Sequence, residues 1–339
     1  MVLNKKAILF TFISITIASL LTMMYSTNQL TPLDDNINIE KAKISSMNQY
    51  LNNLIAYSEI ILKVSGYNTF QGMTNHIYSH DEFFDDLSDI ENSFLECVTN
   101  GTLKGEDCHG MEKLTVNHLL EIIKNVSEEL NLYTEFNVND VWIEQNKAFY
   151  VRAHMDVDLS IRDNNQTNKT KVLWNISKII TTDIPIKGLK DPLFKDIGYY
   201  SFFKETAILP EEFNITTFEF FVNESEYINS HFSFGEELFG VELKPLSFLG
   251  RFANDDSIYN DEELTIITTV SPEKLADAGI PTPTNVSYIG FMFERDLNDL
   301  DCTSYLKKVE GDNNDVIIDV FHLEIDFGFN TSQLADISC

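Results

Sequence analysis

The chain has 339 residues, of which 53 are acidic and 24 are basic, and its formal net charge is −29. This charge excludes partners that require a basic surface, namely nucleic acids and anionic lipid head groups. Hydrophobic residues make up 43% of the chain, enough for a packed core, and the length allows about two domains.

The first predicted element is a membrane-spanning helix at residues 7–26. Its stretch 7–25 holds no charged residue, no Pro and no Gly, and it reaches roughly 28 Å as a helix, close to the apolar thickness of a bilayer. Lys5 and Lys6 precede it, so residues 1–6 are expected in the cytoplasm and the rest of the chain outside. A cleaved signal or a buried core helix are the alternatives. The sequence thus predicts a single-pass membrane protein with the lipid bilayer as a partner.

Residues 27–130 form the predicted helical region. Apolar side chains recur every three or four residues in three stretches, near 38–64, 81–97 and 115–130. This spacing is typical of amphipathic helices that bury one face. The second helix is expected to stop at Asn100 and Gly101, a common C-terminal signal.

A long β-hairpin is predicted within residues 131–195. From Phe149 to Arg162 apolar and polar residues alternate without a fault, as in a strand with one buried and one solvated face. A polar turn follows, and a second strand runs on to Ile184.

The last predicted region, residues 196–339, is rich in short strand-like runs, at 217–222, 241–252, 264–270, 286–293 and 316–327. Successive strands with few helices favour an antiparallel sheet. The predicted fold class is therefore α+β, with an N-terminal transmembrane helix, a helical layer, a long β-hairpin and a mainly antiparallel β domain.

The four cysteines are an even number in a chain expected to face an oxidising space, which indicates disulfide bonds. They are Cys97, Cys108, Cys302 and Cys339. Three pairings are open, and local pairing is the simplest. Nine Asn-x-Ser/Thr sites are candidates for glycosylation, and all follow the predicted anchor: Asn100, Asn125, Asn165, Asn168, Asn175, Asn214, Asn223, Asn285 and Asn330.

Three short segments carry a resemblance. GLKDPLF at residues 188–194, after Trp174, SFLGRF at residues 247–252 and VSY at residues 286–288 resemble a group of uncharacterised archaeal cell-envelope proteins that share an N-terminal membrane anchor and a GLxDPL(Y/F) motif. Leu246 stands where that group has a proline. The resemblance implies an envelope location and an anchor that is simple or prepilin-like. The residues themselves predict a turn at Asp191, whose carboxylate bonds backbone N–H groups.

Sequence motifs of zinc proteases, serine hydrolases and nucleotide-binding loops are absent, so no cofactor is predicted. Two runs place one His and two acidic residues at every second position. Side chains two residues apart on a strand lie roughly 7 Å from each other on one face, so they are candidate metal ligands. The alternative is the solvated face of an acidic strand. The two runs are His154, Asp156 and Asp158, and His322, Glu324 and Asp326.

A third candidate consists of His76 and His80, which are four residues apart and precede Asp81 and Glu82. Four residues is one helical turn, so both imidazoles can face one metal ion. Alternatively, the acidic residues mark a helix that begins at Ser79.

The function predicted from the sequence is that of a membrane-anchored envelope protein outside the cytoplasm, with a structural, adhesive or partner-binding role. Its expected partners are other envelope proteins or further copies of itself. One alternative is an anchored metal-dependent hydrolase that uses His154 and His322. The other is a pilin-like filament subunit.

Overall fold

The computed structural model describes residues 35–129, 132–163, 173–195, 202–203, 229–232, 246–259, 261–270, 306–309, 316–319 and 335–336. The predicted anchor at residues 7–26 lies outside these ranges. Within them, no helix is both long and apolar enough to cross a bilayer. The described chain has an α+β architecture that combines helices with a three-stranded antiparallel sheet.

Four α-helices, ten strands and two short 3₁₀ helices, Pro192–Lys195 and Glu262–Leu264, make up the described secondary structure. The helices are α1 (Asp35–His80), α2 (Leu87–Asn100), α3 (Val116–Glu129) and α4 (Gly250–Ala253). The strands are β1 (Thr102–Leu103), β2 (Glu106–Asp107), β3 (Leu132–Lys147), β4 (Tyr150–Asp163), β5 (Leu173–Pro185), β6 (Asn229–Phe232), β7 (Ile267–Val270), β8 (Leu306–Val309), β9 (Val316–Asp319) and β10 (Ala335–Asp336).

The strands form four small sheets. The largest has the order β3-β4-β5, in which each strand pairs with its neighbour along the chain. A second three-stranded sheet has the order β10-β8-β9, and both of its pairings are antiparallel. The pairs β1-β2 and β6-β7 are also antiparallel.

The chain divides into two compact units. One draws its described residues from Met1–Leu62, Asn117–Asp140 and Met155–Ile180, and the other from Lys63–Val116, Val141–His154 and Thr181–Cys339. The second unit has an aromatic core, in which the Phe70 ring centroid lies 5.0 Å from that of Phe94 and 5.2 Å from that of Phe248. These three rings are fully buried.

Helix α1 is longer than predicted. The apolar stripe Met47, Leu51, Leu54 and Ile61 is buried as expected, whereas Ile44 is exposed. The helix then continues past residue 64 to His80, with Phe70, Met73 and Ile77 buried along it. The sequence did not indicate this extension because Ser, Gly, Tyr and Asn at residues 65–68 are weak helix formers, and tertiary packing overrides that preference.

The helix ends near residue 100 follow the expected chemistry. Asp86, five residues after the predicted start, is the cap residue before α2 and accepts the N–H of Asp89 at 2.8 Å. Gly101, with φ of 76°, ends the helix as predicted, and its N–H donates to the carbonyl of Cys97. The alternative of a helix beginning at Ser79 is wrong, because α1 ends at that turn.

The predicted hairpin is present as β4 and β5. The apolar residues of β4 are buried as the alternation required, namely Val151, Ala153, Met155, Val157, Leu159 and Ile161. Strand β3 was not predicted. Its buried residues are at even-numbered positions up to Thr134 and at odd-numbered positions from Val141. Because of this change of phase, the sequence shows no continuous alternation.

The predicted strand at 241–252 is wrong at its end, because Gly250 to Phe252 belong to helix α4. Asn254 closes that helix with φ of 52°, and its N–H donates to the carbonyl of Gly250. The predicted strand at 264–270 is shorter in the structure, where β7 begins at Ile267.

Candidate functional site

Two of the segments that carry the sequence resemblance meet in a buried ion pair. Arg251, from SFLGRF, donates through Nη1 to Asp191 Oδ2, from GLKDPLF, at 2.5 Å. Both side chains are 0% exposed. A charge that loses its partner in such an interior costs several kcal/mol, so each of these side chains requires the other.

The guanidinium of Arg251 has further partners. Its Nη1 also donates to Thr268 Oγ1 at 3.0 Å, and its Nη2 donates to the carbonyl of Ile266. Its Cζ lies 5.8 Å from the ring centroid of Phe203. Its Nε has no hydrogen-bond partner among the residues that the structure describes. The arginine thereby connects α4 to β7 and to the segment that precedes it.

The carboxylate of Asp191 also shapes its own turn. Its Oδ1 accepts the N–H of Leu193 at 3.1 Å, which confirms the turn predicted from the sequence. The hydroxyl of Tyr78, near the end of α1, donates to the Asp191 carbonyl at 2.8 Å. Hydrogen bonds therefore fix the GLKDPLF segment through both the backbone and the side chain of Asp191.

Gln145 is a second buried polar residue of this core, and no sequence pattern had singled it out. Its Nε2 donates to the carbonyl of Leu264 at 2.8 Å, and its Oε1 accepts the N–H of Leu249 at 3.0 Å. The available signal was its place after Val141 and Ile143, at the next position on the buried face of β3. A glutamine there satisfies backbone groups that neighbouring apolar residues cannot.

The buried ion pair supports the fold and offers no reaction centre. Neither Asp191 nor Arg251 has solvent-accessible side-chain surface, so a dissolved substrate cannot reach either group. Their hydrogen bonds instead satisfy backbone and hydroxyl groups of the surrounding segments.

His154, the first predicted metal ligand, lies on the polar face of β4. Its Nε2 is 3.2 Å from Glu144 Oε1, and its Nδ1 is 3.1 Å from Thr181 Oγ1. Its ring stacks on Trp142, with 4.9 Å between the centroids and 8° between the planes. Both ring nitrogens thus have partners on the neighbouring strands.

Asp156 and Asp158 follow on the same face of β4. Asp158 accepts hydrogen bonds from Ser177 at 2.5 Å and from Asn139 at 3.1 Å, and these bonds lower the pKa of its carboxyl group. His322, Glu324 and Asp326 lie outside the described residues. The metal site assigned to these two runs therefore stays a prediction.

The third candidate brings in a residue that the sequence did not single out. His76 and His80 lie on the last turn of α1, and Glu106 of β2 joins them. One ligand atom from each residue lies within 4.8 Å of the other two, and in the described part of the chain this is the one such group of three. The rings of His76 and His80 are 4.1 Å apart, and His80 Nε2 is 3.2 Å from Glu106 Oε2.

The electrostatic environment favours a neutral imidazole at His76. Burial lowers the pKa of His76, and the positive charges of His80 and Lys104 lower it further, while Glu106 and Glu82 act in the opposite direction. The neutral ring has an unprotonated nitrogen, which is the form that binds metal ions.

A disulfide bond lies in the same unit. Cys97, at the end of α2, is bonded to Cys108, just after β2, and the Cα atoms are 5.7 Å apart. Both residues are buried. This confirms the local pairing for these two cysteines, whereas Cys302 and Cys339 lie outside the described residues.

Comparisons with protein-family profiles, with curated proteins and with solved structures find no match to this chain.

Proposed function

We propose that this chain is a membrane-anchored envelope protein whose main part lies outside the cytoplasm and has a structural or partner-binding role. The observation that carries the proposal is the disulfide between Cys97 and Cys108. Such bonds persist in oxidising compartments and are rare in the cytosol. The bond thus agrees with the orientation that Lys5 and Lys6 predict for the chain.

The glycosylation candidates give further support. Asn100, Asn125 and Asn175 are the candidates within the described ranges, and all three are exposed. A glycan is bulky and needs a surface position. Their exposure is compatible with modification outside the cytoplasm.

The buried polar network around Asp191 and Arg251 also favours a structural role. The resemblance to archaeal envelope proteins depends in part on GLKDPLF and SFLGRF, and the side chains that these segments contribute, Asp191 and Arg251, are fully buried. Their ion pair holds segments together. A catalytic pair would instead need access to its substrate.

The test is the redox state of Cys97 and Cys108 in the native host. Cells are quenched in acid, free thiols are blocked, disulfides are reduced, and the released thiols are labelled with a mass tag. We expect two tags that disappear in the Cys97→Ser/Cys108→Ser variant. The parallel test is protease treatment of intact cells, in which cleavage around Cys302 is expected. Reduced thiols together with a protected C-terminal region would contradict the proposal.

A further inference from the structure

We propose that His76, His80 and Glu106 bind one divalent transition-metal ion of the Zn²⁺ class at the C-terminal end of α1. The two imidazoles come from a single turn of the helix, and the carboxylate comes from β2. Imidazole nitrogen and carboxylate oxygen are the usual ligands of Zn²⁺ in proteins, and three such ligands leave a fourth position for water. None of these three residues belongs to the two runs that begin at His154 and His322.

The hydrogen bonds of His80 leave its Nε2 directed at Glu106. His80 Nδ1 lies 3.1 Å from the carbonyl oxygen of His76, and a proton on Nδ1 satisfies that acceptor. Nε2 then faces the Glu106 carboxylate, whose Oε2 lies 3.2 Å away. In this tautomer Nε2 and the carboxylate are two ligand atoms directed at the same position.

The hairpin that carries Glu106 is fixed before any ion binds. Lys104 and Gly105 form its turn with φ of 50° and 84°, the positive values that a two-residue hairpin turn requires. The carboxylate of Glu96 accepts the N–H groups of both turn residues. Lys104 Nζ donates to Asp89 Oδ2 at 2.8 Å, so α2 positions the hairpin.

The helix end also favours a cation. Backbone dipoles place about half a negative charge at the C-terminus of a helix, and His80 is the last residue of α1. Lys104 is a positive charge that acts on His76, but its ammonium group already pairs with Asp89 at 2.8 Å.

Binding needs only a modest closure of the side chains. Ligand atoms at about 2.0–2.1 Å from a tetrahedral Zn²⁺ are about 3.3 Å from each other, and here they lie within 4.8 Å. His80 and Glu106 are exposed, so rotation of their side chains can supply the difference without moving the backbone. The bound ion would then join the end of α1 to the β1-β2 hairpin.

The experiment is a calorimetric titration of the full-length protein in detergent with Zn²⁺ alone, after chelator treatment and dialysis. We expect saturable binding of one ion per chain. His80→Ala and Glu106→Gln should each weaken Zn²⁺ binding at least about tenfold, because even residues that only orient a ligand affect affinity by about 10–100-fold. The glutamine variant keeps the side-chain shape, so its result does not depend on a change in folding.

Three matched controls keep the interpretation specific. His109→Ala removes an exposed histidine of the same loop, and Asp107→Asn removes the carboxylate next to Glu106. His154→Ala tests the run on β4. All three should bind Zn²⁺ as the unsubstituted protein does. The proposal is overturned if saturable binding is absent, if His80→Ala and Glu106→Gln bind normally, or if the controls lose binding equally.

Discussion

Arg251 and Asp191 are 60 residues apart in the chain, and their side chains form an ion pair without any exposure to solvent. Each lies in one of two segments that a short sequence pattern had singled out. Because neither charge can remain in this interior alone, the pair couples the folding of both segments.

The first prediction concerns this buried ion pair. Asp191→Asn leaves the guanidinium without a counter-charge and should lower the free energy of unfolding by about 3–5 kcal/mol. Arg251→Met should have a comparable cost, because it leaves a buried carboxylate. In the double variant Asp191→Asn/Arg251→Met both charges are gone, so its loss should be smaller than the sum of the single losses. Chemical unfolding followed by circular dichroism measures all three. Strict additivity would show that the two charges are not coupled.

The second prediction concerns the disulfide. Cys97 and Cys108 are 11 residues apart, and closing a loop of this size stabilises the folded state by about 3 kcal/mol in the chain-entropy treatment. Cys97→Ala/Cys108→Ala should lower the midpoint of unfolding accordingly. Reductant should lower the midpoint of the unsubstituted protein and leave that of the double variant unchanged. A double variant that unfolds like the oxidised protein would contradict this expectation.

The third prediction concerns Gly72 in α1. Replacing glycine by alanine inside a helix normally stabilises it by about 1 kcal/mol. Here an added Cβ would lie 2.5 Å from Cys108 Sγ and 3.2 Å from the carbonyl oxygen of His109. Gly72→Ala should therefore destabilise the protein, by about 1–3 kcal/mol.

The matched control for Gly72→Ala is the same substitution in the Cys97→Ala/Cys108→Ala background. Removing the sulfur atoms opens space, so the cost should fall there. Thermal unfolding of the four proteins forms a closed cycle. An equal cost in both backgrounds would mean that the disulfide is not what limits the space at this glycine.

The fourth prediction concerns pH. The hydrogen bond from Arg152 Nε, at 2.8 Å, lowers the pKa of Asp183 below its ordinary value. Because the pKa is lowered, the ion pair stabilises the folded state at pH values above the ordinary Asp pKa of about 3.9. That stability is lost as the pH falls through the pKa of the folded state. Both side chains are 36% exposed, so screening limits the contribution to less than about 1 kcal/mol.

Asp183→Asn tests this expectation. At neutral pH the variant should unfold slightly more easily than the unsubstituted protein, and the difference should vanish in strong acid. Arg152→Gln should show the same pH dependence. A difference that persists in acid would assign the effect to packing and not to charge.

The sequence predicted those elements in which the spacing of apolar residues is uninterrupted or a clear end signal is present. The β4-β5 hairpin follows from alternation between Phe149 and Arg162, and the end of α2 follows from Gly101. Strand β3 was not predicted, because its buried positions change phase between Thr134 and Val141. The second half of α1 was not predicted either, because its stability depends on tertiary packing rather than on local helix preference.

The candidate sites depend on residues that are distant in sequence. His76 and His80 were recognisable as one helical turn, but Glu106 is supplied by a hairpin that the sequence did not indicate. Asp191 was correctly interpreted as a turn residue, and nothing local identified Arg251 as its partner. Such pairings are properties of the tertiary fold, which no window of neighbouring residues contains.

The spacing of the buried ion pair also bears on how the nascent chain matures. The Asp191 carboxylate leaves the ribosome 60 residues before its guanidinium partner. Until that partner arrives, the carboxylate is more stable in water than in an apolar interior. The core around Phe70 and Phe248 should therefore close late in synthesis. Chains stalled before Gly250 should be degraded rapidly by added protease, whereas chains extended through β7 should resist it.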